Sequence, residues 1–125
     1  MSTTQLKVLS AGLCFLFIFL SGFWLSRSGK PYGAILFNVH KLIAVAAFVY
    51  LFITVRQVQQ VTPLSTVEIA VSVIAGLLFI CTVVSGGLVS IDRPMPAGIG
   101  LLHKLLPYFT TLSSAAALYL LFTRK

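Results

Sequence analysis

The chain has 125 residues, of which 58% are hydrophobic and 9% charged, and its formal net charge is +7. Soluble domains carry about 25% charged residues, so a water-soluble globular domain is excluded. The positive charge is no nucleic-acid footprint either, because the Lys and Arg of a membrane chain collect at the ends of its spans.

Four charge-free runs, 8–26, 42–55, 69–91 and 105–123, order the chain. A bilayer core about 30 Å thick takes roughly 20 apolar residues in a helix. The runs therefore predict membrane spans over 6–25, 34–56, 65–91 and 97–123. The first, with Lys7 ahead of it and Ser21-Gly22 near its end, has the outline of a secretory signal. Its pattern recurs in the third span, so it is read as a retained helix. The second opens on Asn38-Val39-His40-Lys41-Leu42, and the fourth carries Leu102-His103-Lys104-Leu105 at the matching place. Cys14 and Cys81 fall inside spans and form no CxxC, and they are read as small apolar filler.

The halves repeat each other. "AGLCFLFIFLSGFWLS" from Ala11 aligns without a gap on "AGLLFICTVVSGGLVS" from Ala75. After one deletion Pro31 meets Pro94, and His40-Lys41-Leu42 meets His103-Lys104-Leu105. The expectation is an all-α integral membrane four-helix bundle, one domain over 1–125, built from two tandem helical hairpins of about 6–60 and 65–125. Two copies inserted the same way are related by a pseudo-two-fold along the membrane normal. An even number of spans puts both termini on one side. Lys and Arg divide almost evenly between the faces: Lys7, Arg56, Arg124 and Lys125 against Arg27, Lys30, Lys41, Arg93 and Lys104. Orientation is therefore not set by charge. A prokaryotic cell membrane is the expected setting.

His40 and His103 are the only two histidines. Each lies about six residues into its span, roughly 9 Å below the same surface at 1.5 Å per residue. One stripe of the fourth span holds His103, Pro107, Thr110 and Ser114; the matching stripe of the second holds His40, Ala44, Ala47, Leu51 and Thr54. In the other two spans the expected faces are Gly12, Phe15, Phe19, Gly22, Ser26 and Gly76, Phe79, Val83, Gly86, Ser90. Gly12 and Gly76 read as close-packing positions. Gly22 and Gly86, level with the imidazoles, also suit a slot for a flat ring. Pro107 cannot donate to the carbonyl of His103, which predicts a kink there.

The donor set narrows the chemistry. Zinc wants four ligands, or three and a water. A nucleophilic site wants a base and an orienting acid, yet the only acids are Glu68 and Asp92, near span ends on opposite faces. Haem iron needs only two axial ligands, and neutral imidazole is a good one. The expected cofactor is one haem b, its iron ligated by His40 and His103, with Gly22 and Gly86 beside the ring. Lys41 and Lys104, with Arg27, Lys30 and Arg93, are candidates to meet the propionates as charge-assisted pairs. Bis-histidine ligation leaves no open iron position, so one-electron transfer is expected, in an electron carrier or redox subunit rather than a stand-alone enzyme. The alternative is a haem-free membrane protein, an assembly factor or small transporter, in which the His-Lys pairs anchor at the interface and the imidazoles bond between helices.

With a Ser-Gly late in one span and a His early in the next, twice over, the chain resembles the membrane b-type cytochromes built on a four-helix core. That resemblance implies electron exchange with a quinone or a partner redox protein. Members often hold two haems on four histidines. This chain has ligands for one, so it looks like a one-haem relay or an anchor subunit of a larger assembly. Trp24, Tyr32 and Tyr108 near the histidine-side surface are read first as an aromatic belt and second as quinone-lining groups.

Overall fold

The computed structural model describes residues 3–28, 33–90 and 96–123. Among them the chain is helical and without a strand: α1 (Thr3–Ser28), α2 (Ala34–Val61), α3 (Thr66–Val89) and α4 (Ala97–Thr123). Each helix is long and apolar enough to cross a membrane. The all-α architecture is the one expected. Lys30, Pro31, Tyr32, Asp92, Arg93, Pro94, Arg124 and Lys125 lie outside the described residues.

What is buried and what is exposed are inverted relative to a soluble protein. Ala11, Ala47, Thr54, Ala75, Ser85, Thr110, Ser114 and Ala117 are buried, while Leu13, Phe17, Leu20, Leu42, Phe52, Leu77 and Leu112 are exposed. In water such a surface would be a very large apolar patch. In hydrocarbon it is well solvated, and small or hydroxyl-bearing residues are what membrane helices use to meet each other. The chain is thus fitted to a lipid bilayer as a multi-pass protein.

Helix ends follow from local chemistry. α2 overruns the expected limit at 56 and carries Arg56, Gln57, Gln59 and Gln60 to Val61, a polar extension of an apolar helix. Pro63 follows, and α3 starts from a capping box that the sequence reading passed over. The Ser65 hydroxyl accepts from the Glu68 N–H at 3.2 Å, and Glu68 Oε1 accepts from the Ser65 N–H at 2.9 Å. Two otherwise unsatisfied N–H groups are bonded this way. α4 runs through Pro107 as a single helix.

Two compact units divide the chain, Met1–Thr54 and Val55–Lys125. In the first, α1 buries Ala11, Ser21 and Leu25, and α2 buries Ala47 and Thr54. In the second, α3 buries Glu68, Ala75, Phe79 and Ser85 and packs on α4, which buries Thr110, Ser114, Ala117, Leu118 and Leu121. The stripes expected on α2 and α4 contain the residues that are buried. Those expected on α1 and α3 are off by one position. Gly12, Ser26 and Val83 are exposed, and their neighbours Ala11, Leu25 and Thr82 turn inward. The physical reason is the serine: Ser21 and Ser85, not the glycines after them, point to the facing helix.

Candidate functional site

Each unit holds one imidazole, set in the same way. His40 lies six residues beyond the start of α2, and His103 six beyond the start of α4. Both are half-buried and reach back to the helix that precedes them.

In the first unit His40 Nδ1 is 2.7 Å from Ser21 Oγ. That hydroxyl has one proton, and the Phe17 carbonyl, 2.7 Å away, takes it, with the Ile18 carbonyl at 3.1 Å. Ser21 Oγ is therefore the acceptor toward the ring, and His40 Nδ1–H donates. In the second unit the assignment is stricter. His103 Nδ1 lies 2.9 Å from Ser85 Oγ and 3.1 Å from the Thr82 carbonyl, and Ser85 Oγ itself donates to that carbonyl at 2.9 Å. A carbonyl only accepts, so His103 Nδ1 carries the proton. In both neutral rings the lone pair then sits on Nε2.

The glycine beside each serine clears the ring. A Cβ on Gly22 would stand 3.1 Å from His40 Cε1, and one on Gly86 2.8 Å from His103 Cε1 and 3.3 Å from its Nε2. The space that the sequence reading assigned to a flat cofactor is thus bordered first by the imidazole itself. Gly12 and Gly76 behave differently: a Cβ there meets nothing within 4 Å, so no close backbone approach depends on them. Ser-Gly followed by His is one device, an acceptor and a gap made by consecutive residues of one helix for a ring on the next.

The surroundings differ between the units. Thr82 Oγ1 donates to the Leu78 carbonyl at 2.7 Å and receives Thr110 Oγ1 at 2.8 Å, a second bond between α3 and α4. Ile18 and Ala47 occupy the aligned positions of the first repeat. Lys41 and Lys104 are exposed, and Lys41 Nζ lies 4.9 Å from the centroid of the Phe37 ring, a cation–π contact. Arg27 makes a similar contact with Phe23 at 5.8 Å. Trp24 is exposed and borders an open cleft of about 570 Å³ with Gly33, Ala34, Ile35, Leu36 and Val39. Tyr108 is exposed too. Cys14 and Cys81 are free thiols. No group of three or more His, Cys, Asp and Glu gathers among the described residues.

Ser21, Ser85, Thr82 and Thr110 were not singled out as functional side chains. The signal was present, since a serine precedes the glycine in both repeats. Ser85→Ala should leave His103 in the Nδ1–H form, because the Thr82 carbonyl still accepts. The lost bond between helices should cost about 0.6–1.7 kcal/mol. Histidine ¹⁵N shifts and a melt in detergent read the two effects; conversion of His103 to the Nε2–H form would contradict the assignment.

Compared with known proteins, the chain matches no family model, no curated protein and no solved structure.

Proposed function

We propose that this chain is a membrane b-type cytochrome in which Nε2 of His40 and Nε2 of His103 ligate one haem for one-electron transfer. The observation that carries the reading is the duplicated state of the imidazoles. Metal-ligating histidines almost always donate the other ring N–H to an oxygen, which fixes the tautomer and raises ligand basicity. Both rings have that donation in place through Nδ1. The donor set fits haem better than any metal that needs three or four protein ligands. Bound haem would supply a one-electron couple with no open iron position.

The chain's own residues have defined tasks in this reading. Ser21 and Ser85 orient the rings and hold their protons. Gly22 and Gly86 let the rings lie against α1 and α3. Lys41 and Lys104, exposed one residue after the ligands, are available to the propionate carboxylates. A quinone or a partner redox protein is the proposed electron partner. Both termini lie on one side of the membrane.

A specific observation favours a second reading. Since the imidazole fills the gap over each glycine, the Ser-Gly/His set also works alone as a lock between helices. The chain would then be a haem-free membrane protein, an assembly factor or small transporter. The visible spectrum of the protein purified from haem-replete cells separates them. Sharp α and Soret bands on reduction are expected. A colourless protein that also fails to take up added haemin overturns the haem reading.

A further inference from the structure

The second unit contains two buried hydroxyls that bond to nothing. Ser10, Ser21, Thr54, Thr82 and Ser85 each donate to a carbonyl about one turn back in their own helix. Such back-bonds are the ordinary way a hydroxyl is satisfied in hydrocarbon. Ser72 Oγ and Ser114 Oγ have no partner, although Ser114 is only 2% exposed. An unsatisfied buried hydroxyl costs about 1–3 kcal/mol, so two of them in one helix pair call for an occupant.

The cross-helix bonds fix where they lie. Ser85 meets His103 and Thr82 meets Thr110, so α3 and α4 are antiparallel. From the Thr82–Thr110 pair, Ser72 is ten residues back along α3 and Ser114 four residues on along α4. At 1.5 Å per residue the two hydroxyls are offset by about 9 Å along the axis. Small residues lie in the interval. Ala75 is buried on α3 and Ala117 on α4, and a Cβ on Gly76 would touch no atom within 4 Å. Two waters joined to each other and to both hydroxyls by three bonds of about 2.8 Å span this offset.

We propose that the seam between α3 and α4 holds a file of about two ordered waters running from Ser72 to Ser114. The file extends a hydroxyl ladder from the Glu68 end of α3, through Ser72, Ser114 and the Thr110–Thr82 pair, to Ser85, which receives His103. The result is a hydrated half-path to one imidazole. The first repeat has no equivalent, because Val8, Leu51, Ala47 and Ile18 replace Ser72, Ser114, Thr110 and Thr82. This inference does not depend on haem.

Radiolytic hydroxyl-radical labelling of the full chain in lipid nanodiscs tests it, since radicals form from bound water. Phe79, which lies on this seam, should be oxidised more than its first-repeat counterpart Phe15. In the double variant Ser72→Val, Ser114→Leu, which installs the first-repeat residues, the excess should be lost. Should that variant fail to reach wild-type helicity, Ser114→Ala keeps the site small and removes only the hydroxyl. It should lower both the Phe79 signal and the melting temperature. Phe79 labelled no more than Phe15, or a Ser114→Ala protein that melts higher with unchanged labelling, shows a dry seam and overturns the proposal.

Discussion

Gly86→Ala should destabilise the protein by about 1–3 kcal/mol, the usual penalty for forcing a methyl into packed space. The added Cβ would stand 2.8 Å from His103 Cε1, a distance real Cβ contacts do not reach, so something must move. The ring cannot swing aside cheaply. It is tethered to Ser85 at 2.9 Å and to the Thr82 carbonyl at 3.1 Å. Retreat of His103 leaves the Nδ1–H without its acceptors, and spreading α3 from α4 strains the Thr82–Thr110 bond. Gly22→Ala should act in the same direction but more weakly, since its Cβ stands 3.1 Å from His40 Cε1. Gly12→Ala should have the opposite sign. Its Cβ meets nothing, so the backbone entropy lost by glycine, about 0.5–1 kcal/mol, is recovered as stability. Melts of the three variants in one detergent give the order. Equal losses at all three positions would mean that the glycines serve general packing and that the imidazole gap has no special role.

The contrast among these glycines marks how far the sequence could be read. Four helices, and their approximate bounds, were legible because runs without charge are long and because hydrocarbon thickness sets their length. The alignment of the halves brought Ser-Gly and His-Lys into register before any coordinates. It could not say which of two adjacent residues faces the neighbouring helix. Adjacent positions differ by about 100° around a helix, and with apolar residues on every side the pattern carries no phase. The chosen phase put Gly12 and Gly22 inward; the buried residues are Ala11, Ser21 and Leu25. The Ser21 and Ser85 acceptors decide that phase, and their role appears only when the hydroxyl proton is traced to its carbonyl. The Ser65–Glu68 capping box was legible as Ser-x-x-Glu and was missed because a search for catalytic acids passes over a carboxylate that caps a helix.

On the haem reading, His40→Ala and His103→Ala should each cost more in retained haem than either serine. Loss of a hydrogen-bonding partner to a ligating histidine lowers metal affinity by about 10–100-fold. Loss of the ligand removes an iron–nitrogen bond outright, so each histidine variant should fall below both Ser21→Ala and Ser85→Ala. The serine variants should keep the band shape of the wild type and lose occupancy. The histidine variants should lose the band shape itself, because one axial position no longer holds imidazole. Free imidazole added to His103→Ala should restore the wild-type spectrum, since the gap over Gly86 that the ring occupied is then open. A purely structural role predicts another outcome. As locks between helices, both residues of a pair would matter to the melt alone. Ser85→Ala and His103→Ala would then lower the melting temperature by similar amounts, and imidazole would return no absorption. The ordering of spectra against melts across Ser21, His40, Ser85 and His103 therefore tells a haem ligand from a helix clasp built of the same atoms.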